Sequence, residues 1–267
     1  MVRRRLDAEL VRRGLAWSRD QAGELIATGR VKVGGRAAAK AATQVEPGAP
    51  ILVEDSTADE GYASRGAHKL VGALDAFGPA GLSVAGRRAL DAGASTGGFT
   101  DVLLRRRVAS VIAVDVGYGQ LAWSLRTDPR VTILDRTNVR DLRPEDVGPG
   151  VDLVVGDLSF ISLGLVLPAL VRSATPEADH VLLVKPQFEV GRDRLGQGGV
   201  VRDPQLRTDA VVGVAQAAAR SGLGVLGVTA SPLPGPSGNV EYFLWLRAGA
   251  PALQRADVER AVREGPS

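Results

Sequence analysis

Lysine is scarce in this chain. Of 33 basic residues only Lys32, Lys40, Lys69 and Lys185 are lysines; the other 29 are arginines. Two of the four stand where a proton could be moved. Lys185 follows the apolar run Val181, Leu182, Leu183, Val184 and precedes Pro186, so it ends a strand of the kind a sheet covered on both faces requires. Lys69 lies just before the first core strand. Arginine cannot act as a base, whereas lysine can when burial or a neighbouring cation lowers its proton affinity. Asp157 ends the run VDLVVGD, and Glu241 falls in the last strand, GNVEYFLWL. Two lysines and two carboxylates suit a reaction on a poor acid such as a ribose 2′-hydroxyl. One group must take or accept its proton, and cations must stabilise the developing alkoxide. Singly, each of the four also reads as a surface charge or a structural ion pair. Together they point to chemistry.

A second constellation is LDAGASTGGFT, residues 90–100, which follows a strand and opens a helix. Its glycines let a ligand approach the backbone closely. The dinucleotide fingerprint needs G-x-G-x-x-G, and Ala94 and Ser95 do not fit that template. A cofactor without a pyrophosphate fits better. Asp115 ends the next strand, where it could accept hydrogen bonds from a ribose diol. Thr137 and Asn138 follow the third strand, where polar residues are often only turn formers.

If that cofactor is a methyl donor, the residue inventory restricts the acceptor atom. Cytosine C5 methylation normally uses a cysteine nucleophile, and the chain has no cysteine. Amino-group methylation uses an Asn/Asp-Pro-Pro-aromatic loop; Asp157-Leu158-Ser159-Phe160 keeps the ends of that motif and lacks both prolines. Base N-methylation of RNA stays open as an alternative. Tyr118, Phe160 and Phe188 are candidates to stack on a base and equally candidates for the core.

The elements that must position these groups can be read from periodicity. From residue 65 onward, strand-like runs (RRALDAG, SVIAVDV, VTIL, VDLVVGD, HVLLVK, GVLGVTA, VEYFLWL) alternate with helical segments. That succession predicts a doubly wound, mostly parallel α/β sheet. The last two strands are joined only by SPLPGPSGN, too short for a helical crossover, so the last strand should pair antiparallel. All the strand-end groups above then converge at the carboxyl edge of the sheet.

Residues 1–55 read as a separate small α+β unit: a helix with Leu6, Leu10 and Val11 on one face, a second helix capped by Ser18 and closed at Gly29, then short strands. STADEGYAS, residues 56–64, is small and polar and reads as a linker, and residues 65–267 form the second domain. The first 40 residues hold ten Lys/Arg against four Asp/Glu, a charge on the scale of a phosphate-binding footprint. The absence of cysteine suits a reducing, cytoplasmic setting. Two histidines make a histidine-built metal site improbable, and no metal is expected. The N-terminus lacks the apolar core of a signal peptide. No apolar stretch is long enough to span a bilayer, so no membrane partner is expected.

Two resemblances join these readings. Arg5-Leu6-Asp7, Gly14, Ser18-Arg19, Ala22, Leu25-Ile26, Gly29, Val31 and Val33 resemble the S-four RNA-binding domain, which implies RNA-facing roles for Arg5, Arg12, Arg13, Arg19 and Lys32. Asp91-x-Gly93 with Asp115 resembles the S-adenosylmethionine site of Rossmann-like methyltransferases. It implies that Asp91 and the loop Gly93, Ala94, Ser95, Thr96, Gly97, Gly98 and Phe99 hold the methionine end, with Asp115 on the ribose, Thr137 and Asn138 near the adenine, and Asp157 alongside. Lys69, Asp157, Lys185 and Glu241 resemble the Lys-Asp-Lys-Glu tetrad of FtsJ-type ribose 2′-O-methyltransferases. The words SRGAHKL, DVGYGQL, DLSFISL, LVKPQFE and SPLPGPSGNVEYFLW are similar to the TlyA family, which joins the two domains, and they add Arg65 to the RNA-facing residues. That resemblance implies 2′-O-methylation of cytidine ribose in ribosomal RNA, 16S and also 23S, within 30S and 50S subunits. Members of the family have carried a haemolysin label, so a membrane-active protein is the rival from another class. In one place the chain departs from the family: where the linker often carries a basic residue before its aromatic, Glu60 precedes Gly61-Tyr62-Ala63.

Overall fold

The computed structural model describes residues 3–266 apart from 14, 17, 18, 47, 54–60 and 236. It divides into two compact units, residues 1–62 and 63–267. Gly14, the cap at Ser18 and the acidic linker position Glu60 lie outside the described residues.

In the first unit, β1 (Arg4–Arg5) leads into α1 (Leu6–Arg12) and α2 (Arg19–Ala27). Four short strands follow: β2 (Val31–Val33), β3 (Arg36–Ala37), β4 (Gln44–Val45) and β5 (Ile51–Val53). Leu6 and Leu10 stand one turn apart, so they share a helix face. They bury against Ala22, Leu25, Ile26, Val31 and Val45. β2 pairs antiparallel with both β3 and β5, and β1 pairs antiparallel with β4.

In the second unit α3 (Ala67–Phe77) precedes a seven-stranded sheet. Its strands are β6 (Arg88–Ala92), β7 (Ser110–Val114), β8 (Val131–Leu134), β9 (Val151–Gly156), β10 (Ala174–Val184), β11 (Leu223–Ala230) and β12 (Tyr242–Ala248). The order across the sheet is β11-β12-β10-β9-β6-β7-β8. Pairings from β10 through β8 are parallel, and β12 runs against both its neighbours. This is the mostly parallel α/β sheet that the periodicity predicts, antiparallel strand included. Leu153 to Val155 and Val181 to Leu183 are buried on both sides of the pleat, which is why those segments read as continuous apolar runs.

The helices are α4 (Gly98–Arg105), α5 (Trp123–Arg126), α6 (Pro144–Val147), α7 (Leu163–Arg172), α8 (Pro186–Glu189), α9 (Pro204–Arg220) and α10 (Arg255–Glu264). The main core packs α7, α9 and α10 against one side of the sheet. Two local expectations change. The helix expected around QLAWSLRTD is only the single turn α5, and Glu241 stands one residue before β12 rather than inside it.

Candidate active site

The four groups singled out by residue type come from elements far apart in sequence. Asp157 follows the last residue of β9 and Lys185 follows the last residue of β10. β12 runs the other way, so its first residue lies at the edge where the parallel strands end, and Glu241 sits just before it. Lys69 comes from the first turn of α3. The inverted strand therefore brings a residue from a strand start to residues from strand ends.

The four side chains form one chain of contacts. Lys185 Nζ lies 2.6 Å from Asp157 Oδ1 and 2.7 Å from Ser159 Oγ. Asp157 Oδ2 lies 4.0 Å from Lys69 Nζ, which donates a 2.6 Å hydrogen bond to Glu241 Oε2. Lys69, Lys185 and Glu241 are buried, and Asp157 is partly exposed. Two cations and two carboxylates balance, so the network avoids the cost of a buried net charge. Lys185 meets Asp157 Oδ1 as a charge contact and not as an aligned hydrogen bond, leaving that oxygen without a hydrogen-bond donor.

Asp91, at the end of β6, is fully buried beside this network. Its Oδ2 accepts from Thr100 Oγ1 at 2.7 Å, and its Oδ1 has no partner. Burial pushes its carboxyl up to about 7, against the Thr100 hydrogen bond. The loop that follows fits a ligand held against backbone. Gly93 adopts φ +84, and a Cβ there would meet the Asp157 carbonyl oxygen at 2.9 Å. A side chain is excluded both by conformation and by space. Asp115 is aimed by two backbone amides, Ser95 N–H to Oδ2 at 2.8 Å and Gly117 N–H to Oδ1 at 2.7 Å. An unpartnered buried carboxylate oxygen next to a side-chain-free loop and a second fixed carboxylate suits a ligand with an ammonium at one end and a diol at the other.

The remaining expected residues fall in different places. Ala94 and Thr96 are buried in the loop, and Ser95 takes φ 48. Gly98 begins α4, where a Cβ would meet the Ala67 nitrogen at 2.9 Å. Phe99 turns into the core against Phe243, with centroids 6.2 Å apart. Thr137 N–H bonds the Asp115 carbonyl at 2.9 Å. Asn138 Oδ1 accepts from Arg140 N–H, capping the short turn that follows. Arg65 is exposed and reaches the Pro234 carbonyl at 3.4 Å. In the first unit Arg5 and Arg19 pair with Asp7, Arg12 and Arg13 pair with Glu9, and Lys32 lies in β2.

Ser159, Gln187, Thr100 and Gly235 join the site without a marker of residue type in the sequence. Gln187 Nε2 lies 3.5 Å from Glu241 Oε1, and a Cβ on Gly235 would come within 2.5 Å of the same oxygen. Ser159 and Gln187 stand two residues after Asp157 and Lys185, a local signal that could have found them. Nothing local marks Gly235. Phe160 is 91% exposed at φ 63, its ring 5.2 Å from that of Phe188. A left-handed aromatic residue costs on the order of 1–3 kcal/mol and is found where surrounding structure enforces it. Tyr118 is exposed too, with the Arg136 guanidinium 4.3 Å from its ring centroid.

Residues 62–248 match the FtsJ-like methyltransferase family. The chain belongs to that family. It is a methyltransferase, and residues 4–51 match the S4 domain, the S-four domain of the sequence reading. A relative from Mycobacterium tuberculosis, named 16S/23S rRNA (cytidine-2′-O)-methyltransferase TlyA, is 62% identical, with all of both chains covered. This places the chain in the TlyA branch of the FtsJ-like methyltransferases. Two solved structures named as hemolysins are also similar. The one from Streptococcus thermophilus is 35% identical at a TM-score of 0.78, covering 99% of this chain and 96% of its own. The one from Lactococcus lactis is 39% identical at 0.71, covering 76% and 97%. Among the described residues no helix is long and apolar enough to cross a membrane.

Proposed function

We propose that this methyltransferase transfers the methyl group of S-adenosylmethionine to the 2′-oxygen of a cytidine ribose in ribosomal RNA, 16S and also 23S, acting on 30S and 50S subunits in the cytoplasm. The observation that carries the reading is the continuous Lys185–Asp157–Lys69–Glu241 network beside Asp91. The name of the Mycobacterium tuberculosis relative supports the acceptor. Residues 1–55 would capture RNA, residues 56–64 connect, and residues 65–267 carry the chemistry.

When bound, S-adenosylmethionine supplies an electrophilic methyl on a sulfonium. Asp91 Oδ1 would hold its ammonium, the loop from Gly93 to Phe99 its methionine backbone, Asp115 its ribose, and Thr137 and Asn138 the surroundings of its adenine. A lysine ammonium has three donors, and at most two of those on Lys185 are taken up by Asp157 and Ser159. As an ammonium, Lys185 thus has a donor left to orient the 2′-hydroxyl oxygen; once it has released a proton to solvent, its amine lone pair would take the hydroxyl proton as the oxygen is methylated. Asp157 fixes that lysine. Lys69 and Glu241 complete a fixed charge network that does not have to reorganise as negative charge grows on oxygen. Phe160 offers an exposed ring face on which a base could stack, and the basic first unit with Arg65 would take the phosphates.

The test is to incubate the protein with methyl-labelled S-adenosylmethionine and purified 30S or 50S subunits and to map 2′-O-methyl cytidine. Label should appear at a cytidine ribose. Lys185→Ala and Lys185→Arg should both lose transfer by roughly 10²–10⁴-fold, the second because it keeps the charge but cannot give up a proton. No transfer to either subunit, or wild-type transfer by Lys185→Arg, would sink the mechanism.

A further inference from the structure

The basic surface of the first unit is built on two acids. Asp7 and Glu9, both on α1, are buried charged residues. Each holds two guanidinium groups. Arg5 donates to Asp7 through Nε at 3.1 Å and Nη2 at 2.9 Å, and Arg19 reaches Asp7 Oδ2 at 3.0 Å from the start of the other helix. Arg12 donates to Glu9 through Nε at 2.8 Å and Nη2 at 2.6 Å, and Arg13 Nε adds a bond of 2.8 Å. The carboxylates are enclosed while the side chains of Arg5, Arg12 and Arg19 are about half exposed, at 45%, 48% and 59%. Arg5 and Arg12 each spend two of five donors on their acid, leaving three outside the pair.

We infer that Asp7 and Glu9 are positioning residues for RNA binding: each clamps a pair of arginines so that two guanidinium forks are already ordered when a phosphate backbone arrives. This rests on the proposal that the first unit captures RNA. Long arginine side chains lose rotamer freedom when they bind, and an anchored pair has lost it beforehand. The clamps are charged throughout the neutral range. Arg5 holds Asp7 well below the usual carboxylate range against the opposing effect of burial, and Arg12 and then Arg13 hold Glu9 down at about 2.

The clamp and the net charge predict opposite changes in RNA binding. Asp7→Asn and Glu9→Gln each raise the protein's charge by one, so bulk electrostatics predicts tighter RNA binding with a steeper salt dependence. Loss of the clamp predicts weaker binding, by about fivefold for each change, with no steepening. The measurement is the affinity of the full chain for transcribed 23S ribosomal RNA across a salt series, with thermal melts as a fold check. Because either change could unfold the unit, Arg5→Lys and Arg12→Lys are measured as well. They leave the buried acids and the net charge in place and remove only the fork geometry; each should weaken binding, by about threefold. Equal or tighter binding by folded Asp7→Asn and Glu9→Gln, or unchanged binding by both lysine variants, would overturn the inference. Failure of the wild type to bind the RNA at all would instead overturn the proposed RNA-binding role of this unit.

Discussion

Gly235 tests the geometry of the charge network without touching any of its charges. It lies outside the left-handed region, so alanine is conformationally acceptable there and only space is at issue. An added Cβ would meet Glu241 Oε1 at 2.5 Å, against 3.4 Å for ordinary contact, so something must move by about 0.9 Å (3.4 minus 2.5). Gln187 Nε2 also lies 3.5 Å from that oxygen. Glu241 is fully buried, so it cannot swing into water. The carboxylate has to turn, and the 2.6 Å bond from Lys69 to Oε2 is what it loses. A charged hydrogen bond contributes about 1.5–3 kcal/mol, which corresponds to about a 10- to 100-fold fall in the methyl-transfer step if the network acts as proposed. Gly235→Ala should therefore show that loss in single-turnover transfer while binding S-adenosylmethionine with wild-type affinity, since Asp91, Gly93 and Asp115 are untouched. Wild-type single-turnover rates in Gly235→Ala would refute the argument. So would a loss confined to cofactor affinity.

Two further outcomes concern buried titrating groups. Asp91 is raised to about 7 by burial, so between about pH 4 and 7 the folded protein keeps a proton that the unfolded chain has released. Stability without cofactor should then fall as pH rises through that window. Asp91→Asn should flatten the slope, raise the melting temperature at pH 8 by about 2–4 °C for each kcal/mol recovered, and abolish stabilisation by S-adenosylmethionine; thermal melts at pH 5 and 8, with and without cofactor, check all three. His180 behaves in the opposite sense. Burial lowers its ring to about 4, so its contribution is fully present above about pH 6.5 and is lost as pH falls towards 4, by up to about 3 kcal/mol. His180→Leu should flatten that acid limb in a pH series of denaturant unfolding.

The alternation of apolar runs and helical segments carried the sheet's composition and even its antiparallel strand, because a short connection cannot lead back to a parallel neighbour. It did not place α5, where a helical pattern in residues 120–128 yields a single turn. Short helices draw their stability from packing rather than propensity. Candidate site residues that end strands stood out in the sequence for a related reason. A rare lysine or an acid that follows an apolar run is anomalous in type and fixed in place by topology, as with Lys185, Asp157 and Asp91. Asn138 shows the limit, since its side chain caps a turn, and a polar residue after a strand looks the same for either use.

By itself, then, the sequence determined which residue types are present and which strand ends they occupy. Hydrophobic periodicity and the scarcity of lysine are properties of the chain that survive without coordinates. Only the tertiary structure decided who touches whom: that Lys69 on α3 meets Glu241 just before β12, 172 positions away, that Gly235 leaves room for that carboxylate, and that Asp7 and Glu9 each gather two arginines. Those contacts depend on how the layers pack and which way one strand runs, and no local pattern records a distance between elements joined only through the core.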